Sequence, residues 1–235
     1  MTAAAPLPTA AVVVLAAGSG RRVGAEKNKV LLPLDGLPIL VRSLRTALEV
    51  AGVHRVVVVI RPEDREDVTA ALAPHLGTRD LWLVEGGTER HDSEYRALGA
   101  LRADIESGEI DVVAIHDAAR PLASATLFRA AIDAAATHGS AVPALPVGPL
   151  NHLDGSLAAP GLATVQTPQA FAAGRLLVAY DAAAADGFRG TDTAACLERY
   201  ADAPIHAVPG EAANLKVTFA EDLALAAELL RPTTG

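Results

Sequence analysis

The sequence predicts an α/β fold in which one mostly parallel, twisted sheet carries helices on both faces and an irregular arm projects from it. Three observations carry this expectation. Short β-branched runs alternate along the chain with stretches whose apolar residues recur at helical spacing, the pattern of a parallel sheet with crossover helices. The first run, Ala11-Val-Val-Val-Leu15, is apolar throughout rather than alternating, as a strand buried on both faces must be. Polar or glycine-rich stretches then follow three of the runs, at Ala16 to Lys29, Gly86 to Ser93 and His116 to Pro121. Those are strand carboxyl ends, where open α/β sheets bind ligands, so the three stretches are expected to form one site.

After the first strand, Pro38 to Val50 spaces Ile39, Leu40, Leu44 and Leu48 as a helix. Val53 to Ile60 is the second strand. Pro62 opens a helix carrying Val68, Leu72 and Leu76, with proline at a position suited to a first helical turn. Leu81 to Val84 is the third strand; Gly86-Gly87 and a helix from about Asp92 to Arg102 follow. Asp111 to Ile115 is the fourth strand, and Ala125 to His138 a helix with Ser124 as its N-cap. Regularity ends after Ala144. Pro146 to Pro160 is rich in proline, glycine and serine and reads as a loop or an extended arm. Helical spacing returns over Ala173 to Ala185 and Ala220 to Leu230. This succession describes a Rossmann-like sheet in a single domain over 1–235, with the arm at about 146–162.

Composition narrows the function. Of 235 residues 51% are hydrophobic but only 3% aromatic, so small aliphatics must build the core. The net charge of −8 leaves no basic footprint for nucleic acid. Cys196 is the one cysteine, which excludes an internal disulfide and argues against a zinc site. The N-terminal segment lacks a basic region followed by an apolar stretch, and the longest apolar runs are strand-length, too short to span a bilayer. A cytoplasmic protein acting on small molecules is expected.

In such an acidic chain the positions of the cations matter. Gly18, Gly20 and Gly24 follow the first strand, but the third glycine comes one residue late for a dinucleotide fingerprint. Arg21, Arg22, Lys27, Lys29 and Pro33 argue for a long loop over an immediate helix. Backbone N–H groups freed by glycine and two arginines with two lysines suit a polyphosphate; a solvated basic loop is the plainer alternative. Gly86 to Ser93 offers Arg90 and the helix caps Asp92 and Ser93, and by itself signifies only a turn. Asp117 could face a ribose or a magnesium ion or simply form a turn, His116 reads as a packed histidine, and Arg120 is harder to dismiss. Lys216, in the β-like run Asn214 to Thr218, could point to solvent.

Together these runs resemble the cytidylyltransferases of the non-mevalonate isoprenoid pathway. The matches are Ala16-Ala-Gly-Ser-Gly-Arg-Arg22, Lys29 with Leu31-Leu-Pro-Leu, Gly86-Gly-x-x-Arg-x-x-Ser93, His116-Asp-Ala-Ala-Arg-Pro121, Thr167-Pro-Gln-x-Phe171, Thr191-Asp192, and Asn214-Leu-Lys-Val-Thr with Glu221-Asp-Leu. The resemblance implies transfer of CMP from CTP to 2-C-methyl-D-erythritol 4-phosphate with release of pyrophosphate. It places Ala16, Ala17, Gly18, Gly20, Gly87, Thr88 and Ser93 on the nucleotide, and Asp117 and Ala118 between nucleotide and acceptor. Arg22, Lys29 and Lys216 become the catalytic cations, Arg120, Thr167 and Thr191 face the acceptor, and Mg²⁺ bridges the phosphates at Asp117. It also implies a homodimer formed through the arm.

Departures from the pattern fall on the acceptor side. Ala159 stands where the family usually has arginine, Thr193 where an acidic residue usually follows Thr-Asp, and Gly148-Pro149-Leu150 where Asp-Thr usually follows the Pro-Val of the arm. Asn28 replaces a common proline before the phosphate lysine. Arg189 and Arg129 are the candidates to stand in for the lost arginine. The donor half therefore predicts a cytidylyltransferase more sharply than the acceptor half names its partner. A sibling using another polyol phosphate such as ribitol 5-phosphate, and a CTP-binding protein without turnover, remain the alternatives. An NAD-dependent dehydrogenase is disfavoured by the late glycine and the basic loop.

Overall fold

The computed structural model describes residues 6–18, 28–77, 80–148, 150, 154, 156, 158–159, 161–190, 192–201 and 204–231. Eight strands form the central sheet: β1 (Ala10–Leu15), β4 (Val53–Ile60), β5 (Trp82–Glu85), β6 (Val112–Asp117), β7 (Ser140–Pro146), β8 (Ala163–Val165), β9 (Gln169–Ala172) and β10 (His206–Pro209). A separate two-stranded ribbon pairs β2 (Pro33–Leu34) with β3 (Leu37–Pro38). The helices are α1 (Ile39–Glu49), α2 (Arg65–Leu76), α3 (Arg90–Glu106), α4 (Ala125–His138), α5 (Ala173–Asp186), α6 (Thr193–Tyr200) and α7 (Ala220–Leu230).

The main sheet runs β10-β7-β9-β6-β1-β4-β5, with β8 pairing β7. β6, β1, β4 and β5 are mutually parallel, as is the β10–β7 pair. β9 runs antiparallel to both β6 and β7, and β8 antiparallel to β7. Mixed sheets of this sort are common among large α/β folds.

Residue parity sorts the core into two layers, since successive strand side chains point to opposite faces. Val12 and Val14 of β1, Val56, Val58 and Ile60 of β4, and Ala114 of β6 pack under α1, α2 and α4. Ala11 and Val13, Val57 and Val59, and Val113 and Ile115 pack under α3, α5 and α6. A third, smaller cluster joins α7 to the ribbon through Leu34, Ile39, Val217 and Ala226. Among the described residues no helix is long and apolar enough to cross a membrane.

Register aligns the strand ends. Leu15 of β1 lies opposite Asp117 of β6 on one side and Val59 of β4 on the other, and Ile60 lies opposite Glu85 of β5. Four carboxyl ends therefore open side by side.

The second strand, α4 and α7 fall where the sequence places them, and the Ser124 Oγ accepts from the Leu127 N–H as an N-cap. Gly139 ends α4 with φ of 90°, a left-handed position that costs glycine nothing. Three corrections follow. The Pro62 segment opens with a single 3₁₀ turn, Pro62–Asp64, before α2. The helix expected from Asp92 starts at Arg90, because Glu89 caps it and the Asp92 carboxylate accepts the Glu89 N–H in return. Residues 214–218, expected to be β-like, form no strand.

The break after Ala144 hides structure that sequence spacing did not show. Pro143 and Pro146 lie inside β7, and prolines obscure a strand pattern. β8 and β9 are too short to show a period. The expected arm begins as a hairpin: Pro146 pairs Ala163 across β7 and β8, and the Val147 N–H reaches the Leu162 carbonyl at 3.0 Å.

Candidate active site

The aligned strand ends open on a cavity of about 620 Å³. Leu15, Ala17 and Gly18 line it after β1, Arg61 and Glu63 after β4, Gly86 to Arg90 after β5, and Asp117 and Ala119 at the end of β6. Lys29 and Lys216 enter from two further segments. Lys29, Arg61, Arg90 and Lys216 supply cations among these described residues, against the carboxylates of Glu63, Glu89 and Asp117. A chain of net charge −8 thus gathers positive charge here.

Asp117 is the electrostatic centre. It is 6% exposed. Its Oδ1 takes an ion-paired hydrogen bond from Arg90 Nη1, its Oδ2 lies 2.7 Å from Lys216 Nζ, and Arg120 Nε stands 4.0 Å away. Burial alone would raise the Asp117 carboxyl, but Arg90 and Lys216 outweigh it and hold it well below the usual carboxylate range. Asp117 is therefore ionised at any pH at which the protein works. Burial likewise opposes the charge on Arg90, and the carboxylates of Asp117 and Glu94 more than offset it.

The backbone behind Asp117 is braced. The Asp117 N–H donates to Thr167 Oγ1 at 3.0 Å. The same oxygen lies 3.1 Å from His116 Nδ1, while His116 Nε2 is 3.2 Å from the Arg120 carbonyl. The network is satisfied when the Thr167 hydroxyl donates to Nδ1 and the imidazole is neutral with its proton on Nε2. Burial pushes the His116 pKa down to about 4, and the ring packs against Phe128 at 4.8 Å. The folded value lies below the unfolded value of about 6.5, so the unfolded chain binds more protons between the two. Stability from this group is complete above about pH 6.5 and falls as the pH drops toward about 4, by roughly 3 kcal/mol in total. Urea unfolding at about pH 7 and about pH 4.5 should show that loss, and His116→Gln should flatten much of it. An equal slope in the variant would assign the acid sensitivity elsewhere.

The glycine side has a different logic. A Cβ on Gly87 would come within 2.2 Å of the Asp92 Cβ, and one on Gly86 within 2.8 Å of Ala17 Cβ and Ser93 Oγ. These glycines let the β5–α3 turn close against its own helix. Ser93 completes the turn: its Oγ accepts from the Gly87 N–H at 3.1 Å and donates to the Glu89 carbonyl at 3.0 Å. A Cβ on Gly18 would meet nothing among the described residues within 4 Å. Packing against those residues does not demand glycine there, whereas a ligand approaching the backbone would.

The expected site residues divide accordingly. Ala17, Gly18, Lys29, Gly87, Thr88, Ser93, Asp117 and Lys216 line the cavity. Gly20, Arg22 and Thr191 lie outside the described residues. Ala16 and Ala118 are buried with their backbones engaged. The Ala16 carbonyl accepts from Asn28 Nδ2 at 2.8 Å, the Ala118 carbonyl from Ser43 Oγ at 2.9 Å, and Ala119 faces the cavity instead. Thr167 is 4% exposed, and its hydroxyl engages the Asp117 N–H and His116. Arg120 is not on the lining; its Nη1 donates to the Asn214 carbonyl at 2.7 Å, tying the β6 turn to the Lys216 segment. Lys216 is exposed over 42% of its side chain, yet its Nζ is drawn to Asp117. Of the two arginines that could replace the one missing at Ala159, Arg129 is occupied far from the cavity by the Ala51 carbonyl and Asp133. Arg189 stands at the mouth, 3.4 Å from Asp92 and 3.9 Å from Glu89.

Two cations escaped the sequence reading. Arg90 sits inside a quoted motif without a role. Arg61 follows β4, a strand end with no glycine to mark it, and is held by Asp64 in a two-point ion pair. Asn28 explains its own departure from proline. Its Nδ2 bridges the Ala16 carbonyl and Asp64 at 2.8 and 2.7 Å, fixing the base of Lys29 against the Arg61 side of the cavity.

A sequence model described as 2-C-methyl-D-erythritol 4-phosphate cytidylyltransferase matches residues 10–232 of the chain. The curated 2-C-methyl-D-erythritol 4-phosphate cytidylyltransferase of Symbiobacterium thermophilum is 41% identical over 230 residues, covering 93% of this chain and 92% of that one. Among solved structures, 4-diphosphocytidyl-2C-methyl-D-erythritol synthase from Anaerococcus prevotii superimposes with a TM-score of 0.79 at 26% identity, covering 96% and 97% of the two chains. The Thermus thermophilus cytidylyltransferase superimposes at 0.73 and 28%, covering 94% and 98%.

Proposed function

This chain belongs to the 2-C-methyl-D-erythritol 4-phosphate cytidylyltransferase family, and from that premise we propose that it joins CMP from CTP to 2-C-methyl-D-erythritol 4-phosphate and releases pyrophosphate. The observation that carries this reading is the buried Asp117 carboxylate held by Arg90 and Lys216 beside a glycine-lined mouth. Such a centre offers fixed charge and open backbone, which is what phosphoryl chemistry without a protein nucleophile requires.

An acceptor phosphate oxygen attacks the α-phosphorus of CTP in line. The new O–P bond forms as the bond between the α-phosphorus and the bridging oxygen breaks, and that oxygen leaves with pyrophosphate. Ala17, Gly18, Gly87, Thr88 and Ser93 hold the nucleoside end. Lys29 and Arg22 hold the triphosphate, and Lys216 reaches the α-phosphate from its place beside Asp117. Arg120 orients the Lys216 segment through the Asn214 carbonyl. The acceptor enters on the side of Arg189 and the segment that contains Thr191.

Both Asp117 oxygens already face cations, and among the described residues no three of histidine, cysteine, aspartate and glutamate group into a cage. That donor set suits Mg²⁺, which takes most of its oxygens from phosphates and water and only one or two from carboxylates. Asp117 is the residue that would hold it, and the ion would neutralise charge on the phosphates. The β7–β8 arm exposes Leu150, Leu162 and Val165 by 43–50%, apolar surface that supports a homodimer formed there. The substrates are multiply charged phosphates that do not cross bilayers unaided, which supports a cytoplasmic site of action.

Pyrophosphate release from CTP, measured against a panel of polyol phosphates, tests the reading. Release with methylerythritol phosphate is expected. Release only with another acceptor, such as ribitol 5-phosphate, or CTP binding with no release, would overturn it.

A further inference from the structure

Next to the cavity, α3 buries a second carboxylate. Glu94 is 1% exposed, on a helix face otherwise packed through Ala97, Leu98 and Leu101. Groups from three helices close on it. Its Oε1 lies 2.9 Å from Arg90 Nε, one turn earlier on α3, and accepts from Thr193 Oγ1 at 2.9 Å, the first residue of α6. Its Oε2 accepts from the hydroxyl of Tyr180 on α5. Burial raises the Glu94 carboxyl above the ordinary range and pushes the Tyr180 phenol well up, so the site is costly to maintain. A buried ion pair is weak grounds for stability, since apolar side chains of similar volume often serve as well or better. The group that gains from Glu94 is Arg90. Its guanidinium lies between two carboxylates, ion-paired at Nε with Glu94 and hydrogen-bonded at Nη1 to Asp117, so this planar fork is held from two sides. The segment leading into α6 also borders the mouth, through Arg189 on Asp92 and Glu89 and through the Gly190 N–H, 3.4 Å from His91 Nδ1.

We propose that Glu94 is a positioning residue for the transfer reaction, acting through Arg90 on Asp117 and through Thr193 on the start of α6. One buried carboxylate thereby locks the cation cluster and the start of α6 at Thr193 into a single arrangement. The role rests on the cytidylyl transfer proposed above. It predicts a specific division of effects, because the nucleoside pocket of Ala17, Gly18, Gly87 and Ser93 makes no contact through Glu94.

Steady-state kinetics of Glu94→Gln, Thr193→Val and Thr193→Ser, each with a melting curve, test it. In Glu94→Gln a neutral amide replaces the charge that stands beside the Arg90 guanidinium. Its kcat is expected to fall roughly tenfold to a hundredfold while the KM for CTP stays within about threefold, since small misplacements at a reacting centre cost rate rather than remote binding. Thr193→Val should lose part of the rate, and Thr193→Ser, which keeps the hydroxyl, should recover most of that loss. A folded Glu94→Gln with wild-type kcat would overturn the role. So would equal losses in the valine and serine variants, which would mean packing alone matters; this pair decides the question if Glu94→Gln does not fold. A wild-type chain without turnover would overturn the activity, and this role with it.

Discussion

Lys216→Ala is expected to lower turnover by about two to three orders of magnitude, the usual effect of removing one preorganised charge from a transition state. The fold should survive. The segment that carries Lys216 is docked by other groups: the Val217 N–H donates to the Ala119 carbonyl at 2.8 Å, the Val217 carbonyl accepts from Lys29 Nζ at 2.8 Å, and the Val217 side chain packs with Leu34, Ile39 and Ala226. The Lys216 side chain is 42% exposed, so its pair with Asp117 contributes about 0–1 kcal/mol after solvent screening. Lys29→Ala should lose rate on the same scale, with a larger change in melting because it also releases the Val217 carbonyl. Pyrophosphate release and melting temperature measured side by side check both variants. Turnover like that of the wild type in both would remove these lysines from the mechanism.

Asp117→Asn should be the most damaging change to stability within the site. It leaves Arg90, Arg120 and Lys216 near one another without the carboxylate that each faces. Breaking a buried ion pair from one side costs about 3–5 kcal/mol, and here about 2–4 kcal/mol is expected because Arg90 and Lys216 keep some water. Turnover should be lost as well. The diagnostic measurement is a double-mutant cycle: adding Lys216→Met to Asp117→Asn removes one stranded cation and should restore part of the lost stability. Additive losses would show that Asp117 and Lys216 are not coupled in the folded protein.

The donor side of the site was legible because it is written locally. An apolar run followed by a polar or glycine-rich stretch that carries a cation recurs at β1, β5 and β6, and the strand-end rule joins them without any coordinates. Arg61 escaped because Pro62, directly after it, reads as a helix start. Glu94 escaped because a glutamate one turn into an amphipathic helix looks like a solvated residue until α5 and α6 cover it. Thr193 shows the reverse case. Read along the chain it is a departure from an acidic pattern; in the fold its hydroxyl meets the carboxylate of Glu94, so a carboxyl group stands at this place from another helix. Thr167, read from the sequence as an acceptor contact, also has its hydroxyl on the Asp117 N–H and His116, contacts that no local pattern shows.

The sequence by itself determined the layer architecture, the four parallel strands that bear the cavity and two of the cations around it, Lys29 and Lys216. Periodicity, glycine turns and caps are properties of neighbours along the chain, and they need no tertiary information. Tertiary structure alone decided which carboxylates those cations meet, that β9 runs antiparallel between β6 and β7, and that 214–218 lies beside Asp117. Each of those facts depends on contacts between residues distant in sequence. Lys216 and Asp117 are brought within 2.7 Å by the packing of Val217 and the Ala119 hydrogen bond, and no local pattern encodes that approach.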